Sequence, residues 1–379
     1  MFRTEKPALL AALQTIRHAS KGKATVPILS NALFERHEDR LMVTGSNLDT
    51  EISATFAAEI DASFEPFTCH AETLAEIVRN APDGFNINVG KVVTAGGFES
   101  VQIAVGKAKV KLPTLPATDF PSMKPDPLAH QFTLDAATLA KAISTVSYAT
   151  ETNEQRYAQC GVLFDREGED LNIVASDGNR FARRTIRAIA FDDALPPFPA
   201  VIVHNDVVSV VIKILEKHDG DVTVEISDVK IRFVAGSTIL TAKLVDGTFL
   251  AYRRFTTSAQ PVVARISAKA LTDAVARVMT VSGDAKDGVA FTFEPGRVSL
   301  LARDINIGEA EDEIAIECEG EVRTGFNGRF LRDALAHLEK DEVEMVVSTD
   351  RMPSLLRCPG DENTVMMIGA LRMKWAGLE

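Results

Sequence analysis

Apolar side chains at Leu9, Leu13 and Ile16 are spaced four and then three residues apart, and the same interval returns at Leu139, Ile143 and Val146 and at Leu271, Val275 and Val278. That spacing places each trio on one face of a helix. A second helix is predicted further along each repeat, carried by Leu74, Ile77 and Val78, by Val208, Val211 and Ile212, and by Leu331, Ala334 and Leu335. Between the helices lie strand pairs at 32–52, 161–186 and 288–314. Each shows an apolar run containing Phe, a polar turn, an alternating strand and a second turn bearing Asn47, Asp177 or Asp304. Alternation of this kind marks half-buried strands. The segment from Leu171 to Ile186 is the sharpest: Leu171, Ile173 and Ala175 share a face, Ser176, Asp177 and Gly178 turn the chain, and a strand returns from Arg180. Gly178 supplies the positive φ that a two-residue hairpin turn often demands. More strand pattern follows each second helix, at 84–90, 222–226 and 343–348.

The same order of elements met three times predicts a repeat architecture. The expected fold class is α+β: three repeated domains at 1–125, 130–256 and 262–379, each with two helices against antiparallel sheet. Turn-forming linkers are expected from Pro121 to His130 and from Thr256 to Pro261. A chain of 379 residues is also longer than one hydrophobic core normally supports.

Composition narrows the function. A content of 46% hydrophobic and 25% charged residues is that of a soluble globular protein. Glu5 and Lys6 interrupt any export signal, and apolar runs such as 198–203 are too short to span a bilayer, so a cytoplasmic location without membrane attachment is expected. Cys69, Cys160, Cys318 and Cys358 show neither CxxC spacing nor a histidine at ligand distance, which predicts no metal and no disulfide framework. No phosphate-binding loop, dinucleotide fingerprint, HExxH or GxSxG is present, so neither a cofactor nor a catalytic residue is expected.

The net charge is −12. The six predicted helices nevertheless carry eleven basic against nine acidic side chains. Arg79, Lys141, Lys213, Lys217, Arg277, Arg329 and Arg332 are candidates for a mildly basic helical lining. Such a surface would hold duplex DNA by its phosphates, weakly and without reading sequence.

Six segments in order, TVPILSNALF (25–34), VTGSNLDTEI (43–52), TLPATDFP (114–121), RYAQCGVLF (156–164), VASDGNRFARR (174–184) and KLVDGTFLAYRR (243–254), resemble the bacterial DNA polymerase III beta subunit, or sliding clamp, family. The resemblance covers the whole chain. It implies a head-to-tail homodimer forming a six-domain ring around double-stranded DNA, a processivity factor rather than an enzyme. It also implies partnership with DNA polymerase III, a clamp loader and other clamp-binding proteins. Family DNA-contacting positions fall on Lys23, Asn153 and Tyr157, with Ala158 where a second aromatic can stand.

The family's partner-peptide pocket maps onto Ser176, Gly178, Asn179, Arg180 and Phe181, onto Leu250, Arg254 and Phe255, and onto Met367, Gly369, Ala370, Leu371, Arg372 and Met373. Its ring joint maps onto Lys107, Lys109, Thr280, Val281, Glu309 and Glu311. Two departures stand out. Leu250 and Ala251 replace the usual proline and acidic residue, and the chain continues past GALRM through KWAGLE, with Trp375. They imply altered partner preference, as in an accessory clamp or a clamp-like scaffold.

Overall fold

The computed structural model describes residues 1–20, 26–93, 99–123, 129–191, 197–254, 262–282, 288–347 and 352–373. Helices α1 (Lys6–Ile16), α2 (Ala71–Arg79), α3 (Ala136–Ser147), α4 (Asn205–Leu215), α5 (Ala268–Val278) and α6 (Gly328–Ala336) fall two to each repeat. Strand, helix, four strands, helix and three strands recur three times, with a further two-residue strand in the first and third copies. Each predicted apolar trio on the first helix of a repeat is buried. Ser267 and Asn327 cap α5 and α6, their side chains accepting from the N–H of Ala270 and Phe330 and so satisfying donors that a helix start leaves open.

The chain packs as two compact units: residues 1–137, 190–198 and 209–244, and residues 138–189, 199–208 and 245–379. In the first unit, strands Phe2–Glu5, Glu59–Ile60, Asn86–Val93, Glu99–Val105 and Ala108–Pro113 form a five-stranded sheet. An eight-stranded sheet runs from strands of the first repeat into strands of the second. Its junction is the antiparallel pairing of Thr50–Phe56 with Thr238–Lys243, Ile52 opposite Leu240. Phe34 stacks on Phe67 with ring centroids 4.8 Å apart, beside Phe2 and Phe56.

The second unit holds a nine-stranded sheet built the same way, in which Arg180–Ile186 of the second repeat pairs with Thr364–Ile368 of the third. It also holds a four-stranded sheet with Gly308–Ala315 at one edge and Val322–Asn327 at the other. Phe291, Phe293 and Phe326 are fully buried on the inner face of that sheet. These units do not follow the three repeats, because sheet hydrogen bonds bind neighbouring repeats together.

The central hairpin differs from its sequence reading in one respect. Its strands are Asp170–Ser176 and Arg180–Ile186, so the turn is longer than two residues. Asp177 Oδ1 accepts from the N–H groups of Asn179 and Arg180 and shapes the turn, with Gly178 at φ 88°. A short polar side chain that bonds the backbone two residues on does here what a two-residue turn does elsewhere.

All four cysteines are free, and burial pushes the Cys69 thiol up to about 12. Among the described residues no helix is long and apolar enough to cross a membrane, and no group of three His, Cys, Asp or Glu side chains is placed to hold a metal ion.

Phe34 is inaccessible to solvent and stacked, so Phe34→Ala removes both transfer energy and packing. The expected loss is about 3–5 kcal/mol, read as a lower urea midpoint for the first unit.

Candidate peptide groove, nucleic-acid face and open strand edges

An apolar cluster in the second unit comprises Leu163, Val174, Phe181, Ile202, Val245, Tyr252 and Met367. Phe181 and Met367 stand directly opposite each other across the junction of the nine-stranded sheet. Over the cluster opens a groove of about 490 Å³ lined by Leu163, Asp165, Ala200, Ile202 and the continuous segment 247–254. The Val245 N–H donates to the Ile202 carbonyl and pins that segment. Gly247 lies so close to Ala158 that a β-carbon there would fall 2.8 Å from the Ala158 methyl. Tyr252 donates its hydroxyl to Asp165 at 2.6 Å, and Arg253 donates to the same carboxylate at 2.8 Å. Burial, reinforced by Asp165, pushes the Tyr252 hydroxyl up to about 12. The groove thus has an apolar floor with one fixed carboxylate and arginines at its rim, a surface suited to an extended peptide with apolar anchors.

The proposed pocket residues separate into groups. Leu250 and Arg254 line the groove, while Phe181 and Met367 belong to the cluster beneath it. Ser176, Gly178 and Asn179 form the adjoining hairpin turn, where Ser176 Oγ donates to the Arg180 carbonyl. Gly369 donates its N–H to the Asn179 carbonyl, and Leu371 donates to the Gly325 carbonyl. Met373 occupies the space a β-carbon on Gly325 would need, while Ala370 is half-buried and Arg372 exposed. Phe255 and the tail 374–379 lie outside the described residues.

Arg180 does not line the groove. Its guanidinium pairs with Asp177 at 2.9 Å and with Asp333 of α6 at 2.6 Å, and lies 4.3 Å from the centre of the Phe330 ring. Tyr148 flanks it, stacked in turn on His337. Arg180 therefore ties the hairpin to α6. Sequence reasoning missed Asp165 and 247–249, although the aromatic Phe249 beside Gly247 was a signal.

The basic candidates are less uniform than a charge count implies. Arg79 pairs with Glu76, Lys141 with Glu339, and Arg277 with Asp312. Arg329 and Arg332 are exposed on α6. A concentrated basic patch lies instead in the first unit, where Arg17 and His18 follow α1, and Lys213 and Lys217 lie on and just after α4. Burial, with Lys213, Lys217 and Arg17 next, holds the His18 imidazole below its usual range. Lys23 lies outside the described residues. Asn153 caps the turn 154–159, and Tyr157 is 48% exposed with its ring 5.5 Å from that of His204.

Among the edge strands of the four sheets, Ala108–Pro113 and Gly308–Ala315 carry opposite charge. Along Ala108–Pro113, Lys109 and Lys111 are exposed and share a face, whereas Leu112 is buried on the other; Lys107 sits in the preceding turn. Along Gly308–Ala315, Asp312 turns toward α5 to meet Arg277, so Glu309, Glu311 and Glu313 project from the opposite face. Thr280 and Val281 follow α5 in a short turn packed against that strand. Lys111 and Glu313 were missed in the sequence, where strand limits were unknown.

Comparison with known proteins follows this geometry closely. Models of the DNA polymerase III beta subunit N-terminal, central and C-terminal domains match residues 1–124, 133–250 and 257–372. The beta sliding clamp of Caulobacter vibrioides is 32% identical over 381 residues, covering 97% of this chain and 99% of that protein. The beta sliding clamp of Escherichia coli K12 is 30% identical, covering 93% and 94%. A crystal structure of the Bartonella birtlesii sliding clamp bound to griselimycin superposes with TM-score 0.91 at 30% identity, over 98% of this chain and 100% of that one. A Caulobacter crescentus clamp structure gives TM-score 0.91 at 31% identity, over 98% of each chain.

His18 should titrate below the ordinary histidine value of 6.5 by NMR, and Lys213→Gln with Lys217→Gln should move it upward. Since the folded value is the lower one, protonating His18 disfavours the fold, and its contribution to stability is lost as pH falls through that window.

Proposed function

Because the chain belongs to the DNA polymerase III beta subunit family, the beta sliding clamps, we propose that two copies join head to tail into a six-domain ring that threads duplex DNA. The observation that carries this reading is the pattern of joints. The last strand of the second repeat pairs with a strand of the first, and the last strand of the third pairs with a strand of the second. The last strand of the first repeat, Ala108–Pro113, and the corresponding strand of the third, Gly308–Ala315, are left as edges. An unpaired edge is a template for another chain. Two copies satisfy both edges at once, giving a closed assembly in place of an open filament. Lysines on one edge and glutamates on the other favour that partnership.

Enclosure provides retention, so contacts with DNA need only be weak and independent of sequence. The patch of Arg17, His18, Lys213 and Lys217, with Lys23, Asn153 and Tyr157, supplies phosphate and base contacts of that kind. Basic helix residues already matched by carboxylates, such as Arg277 and Lys141, contribute little net attraction. The ring carries out no chemistry of its own. It acts in the cytoplasm, taking a clamp loader to open it and holding DNA polymerase III and other clamp-binding proteins at high effective concentration on the template. Their peptides lie over Phe181 and Met367, against Leu250 and Arg254. The three domains keep the limits of the sequence repeat. Leu250 and Ala251 on the groove wall favour a second reading, an accessory clamp with its own partner preference.

Once loaded, the protein should remain on closed circular DNA and run off the linearised form; equal loss from both would refute the ring. Lys109→Glu with Lys111→Glu should shift sedimentation toward a monomer, at least tenfold in dissociation constant. Leu250→Asp should weaken a clamp-binding peptide at least tenfold while leaving DNA retention intact.

A further inference from the structure

Two apolar side chains at a hairpin tip have no role in anything described so far. Ile305 is 96% exposed and Ile307 58% exposed, at the turn leading into the open edge Gly308–Ala315. Isolated exposed isoleucines are unremarkable. Their position relative to the joint is not.

The two closed joints fix what the open one must look like. Asn47, Asp177 and Asp304 occupy equivalent turn positions, since each Oδ1 accepts from the backbone N–H groups two and three residues on. Ser46, Ser176 and Arg303, one residue earlier, pair with Glu51, Phe181 and Glu309, which are therefore equivalent. On the other side, Gly106 and Gly236 open matching two-residue turns at φ 55° and 56°, so Ala108 corresponds to Thr238. In the first closed joint Leu240 faces Ile52 and Thr241 faces Glu51. Carried to the open joint, this register sets Val110 opposite Ala310, Lys111 opposite Glu309 and Lys109 opposite Glu311. Both lysines meet glutamates, a result the backbone correspondence did not assume.

The same register continues into the tip. In the first closed joint the Lys243 N–H donates to the Asp49 carbonyl and the two side chains form an ion pair at 3.0 Å. In the second, the Gly369 N–H donates to the Asn179 carbonyl. At the open joint the donor position falls on Pro113, and counting back along the strand from Glu309 sets Ile307 opposite it, in a turn one residue longer than the other two. Proline has no N–H to donate, so the backbone bond present at both closed joints is missing here. What remains is apolar: Ile307 lies opposite Pro113 with Ile305 at the same tip, and Leu115, two residues past Pro113, is 38% exposed with its backbone bonded to Thr68 Oγ1.

We infer that Ile305 and Ile307 form an apolar clasp against Pro113 and Leu115 of a second copy of this chain, replacing the lost hydrogen bond and locking the joint in the register Val110 opposite Ala310. The occupant is fixed by continuity with the paired edge and by the matching charges beside it. This rests on the ring reading above, of which it specifies one joint. The clasp makes closure depend on desolvating apolar surface as well as on ion pairs, so raised salt weakens the lysine–glutamate contacts without releasing the tip.

Two variants separate the clasp from the ring itself. Val110→Cys mixed with Ala310→Cys should give a disulfide-linked dimer on oxidation, whereas Val110→Cys with Asp312→Cys, two residues out of register, should not. Ile305→Ser with Ile307→Ser should raise the dimer dissociation constant at least tenfold in sedimentation, with circular dichroism unchanged. Cross-linking of the cysteine variants only through position 312, or a dissociation constant unchanged by the two serines, overturns the clasp and leaves the ring standing. A wild-type protein monomeric at all concentrations overturns both.

Discussion

Antiparallel hydrogen bonding between strands of successive repeats is the constraint on which the rest of the structure depends. It makes each large sheet continuous across a repeat boundary, and it is why the compact units cut across the repeats. A strand edge left without a partner is a liability in a soluble protein. This chain closes two such junctions internally, whereas Ala108–Pro113 and Gly308–Ala315, the strands equivalent to those at the junctions, stay sheet edges. The proposed assembly rests on those edges more than on any single side chain, since exposed ion pairs contribute little energy alone.

The same constraint shapes the apolar cluster beneath the groove. Phe181 and Met367 face each other only because Arg180–Ile186 pairs with Thr364–Ile368. Arg180 reinforces the arrangement from the side by joining Asp177 and Asp333 under the Phe330 ring. Removing one partner from a largely buried network of this kind leaves charge unpaired, which costs more than the pair itself contributes. The candidate groove thus rests on an apolar cluster to which the junction between two repeats contributes Phe181 and Met367. The basic helix residues follow a different logic: Arg79, Lys141 and Arg277 are answered by carboxylates, Arg329 and Arg332 are exposed on α6, and Lys213 and Lys217 lie near Arg17 and His18.

Much of this was legible in the sequence. The helices were found because Leu9, Leu13 and Ile16 and their counterparts must share a buried face, a local requirement that spacing alone reveals. The hairpins were found for the same reason, although the turn at Asp177 is built by a side-chain bond rather than by the two-residue geometry. The joints were not legible, because which strand lies beside Thr238–Lys243 is a non-local fact. Arg180 could be named as a pocket residue, but its pairing with Asp333 could not, because the approach of α6 is another non-local fact. Lys109, Glu309 and Glu311 could be named from charge, but Lys111 and Glu313 needed the strand limits, and the meaning of Pro113 needed the register.

Hydrogen exchange at the open edges tests the central claim most directly. Under the pairing carried over from the closed joints, the N–H groups of Lys109, Lys111, Glu309 and Glu311 point across the joint. They should exchange slowly, like that of Thr241, when the protein is concentrated, and quickly on dilution below the dissociation constant. If those four amides exchange at the same fast rate at every concentration, the edges do not pair and the account fails.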